Sequence, residues 1–412
     1  MIHDCNREAG RAPATCYDVG LFFPDVAAMR RLFSVSHLTA GFIAVLVGYT
    51  SSAAIVFQAA SAAGGSAEHI GSWLWALGIG MFATSVGLSL WFKAPVLTAW
   101  STPGAALLAV GLSGVPMSEA IGAFLFASAL IVVCGVFGLF EAIMRHVPKS
   151  LAAALLAGVL ARFGMALFTS LSSELLLVGA MFAVYFAGRR WLPRYAVPLA
   201  FLVGLLLAAA SGMIHAEAVS LTLALPVWTT PTFSLTTLIG VGLPLFIVTM
   251  ASQNVPGLAV LRANGFQTPA SPLITWTGVT GLLLAPFGGF AFNLAAITAA
   301  ICMSPAADPD PAQRYRASVW AGVFYLFTGL FGATVAALFG ALPAALIAAI
   351  AGLALLGTIG NSLGAALADE REREAALVTF LATASGMSLF GIGSAFWGLV
   401  LGLLVLKVMP TR

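Results

Sequence analysis

Two stretches of the chain place a polar cap residue directly before a short apolar helix. In the first, Thr102 precedes Pro103, which is the pattern of a hydroxyl N-cap followed by proline at the first helical position. In the second, Asn293 follows Gly288 and Gly289 and precedes an apolar run. A helix start presents unpaired N–H groups and a partial positive charge, so two such starts predict an anion-binding site without a buried cation.

Both helices are predicted to be about half as long as a membrane is thick. The helix after Pro103 has about ten residues, which corresponds to about 15 Å, and the second helix is predicted over 294–302. Non-helical backbone at membrane depth is tolerated where it is buried in protein or lines a cavity. We therefore predict that the extended residues before the two helices pair as a small β-ribbon. Ordinary helices kinked by proline and glycine remain the alternative.

The elements that position these stretches must lie in lipid. Of the 412 residues, 60% are hydrophobic and 8% are charged, with a mean hydropathy of +1.02. Soluble domains have about 25% charged residues, so a soluble globular protein is excluded. No basic stripe with interleaved aromatic residues supports nucleic-acid binding. The four cysteines form no CxxC pair, so we expect no disulfide framework, no metal site and no cofactor.

About 20 apolar residues are needed to cross a bilayer as a helix. Residues 1–33 lack the apolar run of a signal peptide and are predicted to be a cytoplasmic tail, with Met29 as an alternative start. The fold class predicted for the rest is an all-α polytopic membrane protein. Its fourteen segments are 36–61, 72–92, 95–112, 118–144, 150–169, 174–189, 196–213, 235–261, 272–286, 288–304, 317–340, 343–366, 375–390 and 392–408.

The distribution of basic residues predicts the orientation of these segments. With both termini in the cytoplasm, all lysines and arginines except Arg162 fall on the inner side. The outer loop at 214–234 divides the segments into halves of seven, at 34–213 and 235–408, and an odd number makes the second half inverted. The two interrupted segments are the third of each half. Inverted repeats with broken helices are typical of secondary transporters.

The chain also resembles the benzoate/proton symporter (BenE) family from about Leu32 to Lys407. The stretches that carry the resemblance are GYTSSAAIVFQ at 48–58, PVLTAWSTPGAALL at 95–108, TMASQNVPG at 249–257, AAITAAIC at 295–302 and GIGSAFWG at 391–398. The family is similar in plan to the uracil and sulfate permeases. That resemblance implies a core of segments 1–4 and 8–11, a gate of segments 5–7 and 12–14, and uptake of benzoate with a proton across the bacterial inner membrane.

The resemblance also implies a position for the substrate in segment 8. Uracil-type relatives have an acidic residue there, and the matching position in this chain is about Gln253. A neutral amide at this position fits an anionic substrate, because two carboxylates would repel each other. It also removes the obvious proton carrier.

We expect the substrate to contact the helix starts, the polar residues of segment 8 and an aromatic wall. The predicted binding residues are Tyr49, Phe57, Ser101, Thr102, Gly104, Gln253, Asn254, Phe290, Asn293 and Leu294. Thr102 and Asn293 are predicted to act as caps and carboxylate donors, with the amides of Gly104, Ala105, Leu294 and Ala295 supplying positive charge. Caps without ligand contact, a helix–helix hydrogen bond for Gln253 and Asn254, and simple packing for the aromatic residues remain alternatives.

Acidic residues near the segment ends are the candidates for a proton pathway. Glu141, with Glu119, is a candidate for sharing a proton with the substrate carboxylate, although an interfacial charge is the simpler role for Glu141. The histidines near segment ends, including His37, are predicted to be solvated. Arg162 is predicted to reach the outer headgroups, or else to form a gate ion pair or recruit anions. A homodimer is left open.

Other functional classes have less support in the sequence. An intramembrane enzyme needs a nucleophile–base pair or a metal motif such as HExxH, and neither is present. A primary pump needs a nucleotide-binding loop ending in Gly-Lys, and no lysine of this chain follows a glycine. An anion channel, or a transporter of the same fold for another small anion or a nucleobase, remains as the alternative.

Overall fold

The computed structural model describes residues 34–140, 148–214, 220–390 and 392–408. Within this part of the chain, everything from Val35 onward belongs to one compact unit. The predicted tail at 1–33, Glu141, His146 and His215 lie outside the described residues.

The elements before the long outer loop are mainly apolar helices. In chain order they are α1 (Val35–Ala62), α2 (Ala67–Phe92), β1 (Thr98–Trp100), α3 (Thr102–Gly111), α4 (Met117–Val136), α5 (Lys149–Ser173), α6 (Leu175–Trp191) and α7 (Ala196–Ala210). Those after the loop are α8 (Leu235–Ala263), α9 (Ala270–Leu284), β2 (Phe292–Leu294), α10 (Ile297–Met303), α11 (Tyr315–Leu330), α12 (Gly332–Ala341), α13 (Ala344–Ala366), α14 (Arg373–Ser385), β3 (Ser388–Leu389), β4 (Ile392–Gly393) and α15 (Ser394–Val408).

Several of these helices have the length and composition of membrane spans. Among the described residues, six pass both criteria, and eight pass if two bent helix pairs each count as one span. One bent pair joins Pro311–Leu330 to Gly332–Ala341 at 65°. Helices α3, α7 and α15 are apolar but shorter, at 10 to 15 residues. The protein is thus a mostly helical membrane protein, and the number of fourteen segments stays a prediction.

The helices pack in two groups. In the first group, α2 packs against α11, α4 against α9, and α1 against α3, α10 and α11. In the second group, α5 packs against α13 and α14, α14 against α15, and α6 against α7. Helices α1, α3 and α8 of the first group contact α5, α7, α13 or α15 of the second.

Helix α8 is continuous but contains two π-helical turns, Leu238–Gly242 and Met250–Asn254. Each turn is followed within two residues by a proline, Pro244 or Pro256. Proline has no backbone N–H to donate to the carbonyl four residues earlier, so the helix widens instead of continuing its regular pattern. The second turn places its polar residues beside the strands β1 and β2.

The described part of the outer loop, 220–234, has no helix or strand and lies across the ends of the first group. Its backbone amides at Ala224, Thr229 and Thr232 donate to carbonyls of Leu330, Pro286 and Ser118, at 2.8 to 3.0 Å. The hydroxyl of Ser72 accepts from the amide of Val227 and donates to the carbonyl of Phe287, both at 2.9 Å. These bonds hold the loop as a cover over α2, α4, α9 and α11.

Candidate functional site

Strands β1 and β2 pair antiparallel at the centre of the first helix group. The register places Thr98 opposite Leu294, Ala99 opposite Asn293 and Trp100 opposite Phe292. Two further backbone bonds extend the ribbon, from Ser101 N to Ala291 O and from Ala295 N to Leu97 O. The predicted β-ribbon is confirmed, and the half-helices α3 and α10 leave it in opposite directions.

The start of α3 differs from the prediction by one residue. The cap is Ser101, whose Oγ accepts a hydrogen bond from the amide of Gly104 at 3.0 Å. Thr102 is the first helical residue and Pro103 the second, so the prediction that Thr102 is the cap is wrong. The first helical turn tolerates proline because its N–H groups have no helical partner. Thr102 is thereby released from capping, and it lines a cavity.

The start of α10 differs from its predicted position by more residues than the start of α3 does. Asn293 lies inside β2, is fully buried, and donates from Nδ2 to the carbonyl of Ala291 at 2.9 Å. Helix α10 begins only at Ile297 and has no side-chain cap, so the predicted capping role of Asn293 is wrong. The physical reason is the ribbon, because strand pairing holds the residues up to Leu294 in extended conformation and delays the helix.

The amides predicted to face a ligand are already bonded within the protein. Leu294 N donates to Oδ1 of Asn254 at 3.0 Å, and Ala295 N donates to Leu97 O at 2.9 Å. The amides of Gly104 and Ala105 donate to the side chain and carbonyl of Ser101. These four amides are therefore already bonded within the protein, and their contribution of positive charge to a ligand stays a prediction. The uncapped first turn of α10, at Ile297 and Thr298, lines the cavity.

A cavity of about 640 Å³ lies between the ribbon and the second helix group. This volume is within the range of small-molecule sites. Its first wall comes from α1, β1, the start of α3, α8, the start of α10 and α11, and its second wall comes from α5 and α13. Its lining residues include Gly48, Ser52, Trp100, Thr102, Gln253, Thr298 and Tyr325 on the first wall and Lys149, Thr358, Asn361 and Ser362 on the second.

Trp100 is the aromatic residue that the sequence analysis missed. Its Nε1 donates to Oγ of Ser52 at 2.9 Å, and its ring meets the ring of Tyr49 edge-on, with 5.0 Å between centroids. The hydrogen bond and the ring contact fix the indole against the cavity. The sequence contained a signal for this position, because Trp100 directly precedes the cap Ser101 and lies two residues after Thr98, on the same face of the strand.

The predicted polar residues of α8 have different positions. Gln253 lines the cavity, as predicted for a binding residue. Asn254 is fully buried away from it, with Oδ1 bonded to Leu294 N and Nδ2 to Sδ of Met250. Asn254 therefore holds the ribbon against α8, a helix–strand bond rather than the helix–helix bond considered above.

The predicted aromatic residues lie behind or beside the cavity. Phe290 is fully buried and packs against Trp73 and Phe124, at centroid distances of 5.8 and 5.5 Å. Phe57 packs against Phe339 at 6.1 Å. Tyr49 supports Trp100, and its hydroxyl is 3.5 Å from the carbonyl of Thr328. Among the described residues, the aromatic residues that line the cavity are Trp100 and Tyr325, and Trp100 is the one that belongs to the ribbon.

Among the titratable groups near the helix ends, His37 differs from its prediction. His37 is buried, and its Nε2 lies 2.7 Å from Oδ2 of Asp308, so the prediction that His37 is solvated is wrong. This pair joins the start of α1 to the chain that follows α10. Glu119 accepts a hydrogen bond from the hydroxyl of Thr237 at 2.5 Å, and Arg162 is exposed beside Gly386. The described residues contain no group of three His, Cys, Asp or Glu side chains arranged to hold a metal ion.

The cavity has one charged side chain among its described lining residues. Lys149, the first residue of α5, is exposed and lines the second wall of the cavity. The sequence analysis treated this lysine only as an orientation signal, because basic residues at the inner ends of segments are common.

Known membrane proteins are similar to this chain in sequence. Residues 31–408 match the family described as BenE, Benzoate membrane transport protein. The chain is 52% identical over 374 residues to the "Inner membrane protein YdcO" of Escherichia coli K12, covering 90% of this chain and 96% of that protein. It is 37% identical over 381 residues to the "Benzoate membrane transport protein" of Acinetobacter baylyi, covering 92% and 97%.

Solved structures of anion transporters have a similar fold. The transmembrane domain of a cyanobacterium bicarbonate transporter, BicA, aligns with a TM-score of 0.61 at 15% identity, covering 92% of this chain and 97% of that one. Murine Slc26a9, an anion transporter in the inward-facing state, aligns with a TM-score of 0.60 at 10% identity, covering 91% and 68%. At these identities the likeness concerns the fold alone. The chain belongs to the benzoate membrane transport protein family, and it is a membrane transport protein rather than an enzyme.

Proposed function

We propose that the protein takes up benzoate or a similar aromatic carboxylate together with a proton, by alternating access across the bacterial inner membrane. The observation that carries this proposal is the cavity at the ribbon, where one indole ring and the starts of two half-helices border the same space. The benzoate transporter of Acinetobacter baylyi, at 37% identity over nearly the whole chain, supports the choice of substrate.

In the proposed binding mode, the substrate ring lies against Trp100 and its carboxylate points toward Thr102 and Gln253. The hydroxyl of Thr102 and the amide of Gln253 are hydrogen-bond donors that suit a carboxylate. The uncapped first turn of α10 adds donors and a partial positive charge from the other side of the ribbon. A largely apolar wall with a few convergent polar groups is the usual composition of a small-molecule site.

The remaining predicted residues are assigned positioning roles in this proposal. Ser101 fixes the first turn of α3, and the amide of Gly104 serves that cap. Asn254 and Leu294 fix the ribbon against α8, and Asn293 holds the ribbon internally. Tyr49 braces Trp100, whereas Phe57 and Phe290 fill the helix packing on either side.

The finer architecture is also part of the proposal. Fourteen segments as two inverted halves, 34–213 and 235–408, would make α3 and α10 repeat mates, and their antiparallel ribbon supports this pairing. With both termini in the cytoplasm, Lys149 and the second half of α13 lie on the inner side. The two packing groups then correspond to a core that carries the ribbon and a gate formed by α5–α7 and α13–α15.

Proton coupling rests on the family resemblance and on the weak acidity of the substrate. None of the described residues that line the cavity is an aspartate or glutamate. We therefore assign the proton to the substrate carboxylate itself, shared with Glu141 or Glu119. Uptake driven by an acid gradient that survives unchanged in Glu141→Gln and Glu119→Gln would remove both residues from this role.

The function is tested with purified protein in proteoliposomes. Uptake of labelled benzoate is measured with and without an inward proton gradient, at zero membrane potential. We expect accumulation that requires the gradient and collapses when a protonophore is added. Equal uptake with and without the gradient would disprove proton coupling, and no uptake under either condition would disprove benzoate as the substrate.

Another small anion or a nucleobase is the second candidate for the cargo. The support for a small inorganic anion is that a transporter named for bicarbonate has a similar fold. Competition of benzoate uptake by bicarbonate, sulfate, uracil and substituted benzoates separates these cargoes. If Trp100 selects the ring, cyclohexanecarboxylate competes less well than benzoate, and bicarbonate does not compete at millimolar concentration.

A further inference from the structure

The cavity has buried and exposed lining residues. Beside the ribbon Ser52 and Trp100 are buried and Ile297 is exposed, whereas on the second wall Lys149 of α5 and Asn361 of α13 are exposed. We define Lys149 and Asn361 as the cavity mouth, with the buried Ser362 next to Asn361. A ligand that moves between the ribbon and this part of the cavity passes along the second wall.

The cavity mouth combines the groups that hold a carboxylate loosely. A lysine ammonium is a compact point charge on a flexible stem, and it attracts a carboxylate without demanding one fixed geometry. Asn361 and Ser362 offer an amide and a hydroxyl from the facing helix. Because Lys149 is exposed, the expected attraction is modest and screened by salt.

We propose that Lys149 is a specificity-determining residue that receives the carboxylate at the cavity mouth, before or after the substrate occupies the site at the ribbon. This inference rests on the proposed function. Lys149 makes the mouth selective for the ionised acid over a neutral molecule of the same shape, and it raises the local concentration of anions. The simpler role of a lysine at a helix end, anchoring the protein in the membrane, predicts no such selectivity.

The test compares Lys149→Gln and Lys149→Arg with the wild-type protein. Lys407→Gln is the matched control, because Lys407 lies exposed near the end of α15 and does not line the cavity. Benzoate transport is measured in inside-out vesicles, where the substrate approaches the mouth, at low and high ionic strength. Inhibition by benzamide, a neutral molecule of the same shape, is measured alongside.

We expect Lys149→Gln to raise the KM for benzoate about two- to fivefold at low salt, which is the size of an exposed charge interaction. Its KM should be nearly independent of salt, its kcat little changed, and its inhibition by benzamide the same as in the wild type. Lys149→Arg should keep most of the affinity and the salt dependence. Lys407→Gln should behave as the wild type.

Three results would overturn the inference. A KM and salt dependence of Lys149→Gln equal to those of Lys407→Gln would show that Lys149 is only an anchor. An equal loss of benzoate and benzamide binding would show a structural role. Failure of the wild-type protein itself to transport benzoate would overturn the proposed function and, with it, this inference. That outcome is recognised from the wild-type measurement alone, without the variants.

Discussion

The side-chain oxygen Oδ1 of Asn254 accepts a hydrogen bond from the backbone amide of Leu294 at 3.0 Å, with both residues fully buried. The bond joins the π-helical turn of α8 to strand β2. Its neighbour Gln253 lines the cavity. Adjacent residues point in different directions around a helix, so Gln253 supplies a candidate ligand contact and Asn254 a structural tie.

Removing this tie should destabilise the protein. Asn254→Ala leaves the amide of Leu294 buried without a partner, which costs about 1–3 kcal/mol. We expect a clearly lower thermal unfolding midpoint in detergent and reduced benzoate transport. Asn264→Ala, at the exposed end of α8, is the control and should have little effect. Equal midpoints for the two variants would contradict the assignment of Asn254.

Substitution of Trp100 should change substrate choice. Trp100→Ala removes the indole ring of the ribbon from the cavity wall, and we expect benzoate affinity to fall about tenfold with the preference over cyclohexanecarboxylate lost. Trp100→Phe keeps a ring but loses the bond to Ser52, so it should retain part of the preference. Trp91→Ala, at an exposed ring outside the cavity, is the control. Competition assays measure all three, and an unchanged preference in Trp100→Ala would contradict the proposed wall.

Substitutions at Ser101 and at Thr102 should have different effects, the first on folding stability and the second on benzoate binding. Ser101→Ala loses the cap of α3, which should cost about 1 kcal/mol of folding stability. Thr102→Val keeps the shape of the side chain and removes only its hydroxyl, so it should leave the unfolding midpoint nearly unchanged while raising the KM for benzoate. The pair is measured by thermal unfolding and by uptake. The reverse pattern would place the cap at Thr102, as the sequence alone predicts.

The packing of α2 on α11 depends on a glycine. A Cβ at Gly78 would lie 2.4 Å from Cα of Gly329, so Gly78→Ala forces the two helices apart. We expect a large loss of folded protein after extraction in mild detergent, measured by size-exclusion chromatography. Gly87→Ala lies in the same helix, where a Cβ would have nothing within 4 Å, and it should yield as much folded protein as the wild type.

Local chemistry in the sequence predicted the ribbon and the half-helices, because proline and glycine interrupt helices wherever they occur. It misplaced the helix starts because these depend on long-range strand pairing, which holds Asn293 extended and moves the start of α10 to Ile297. It could not separate Gln253 from Asn254, since the direction of each side chain depends on the π-helical turn. Lys149 was missed because membrane orientation already explained its charge.

The β1–β2 ribbon also limits how the protein can move. Its two strands come from distant parts of the chain, yet the backbone bonds between them tie the starts of α3 and α10 together. Pulling these starts apart would break several buried hydrogen bonds at once. We therefore expect α3 and α10 to move together as one rigid unit that carries the bound molecule. Helices α5 and α13 would then slide past this unit.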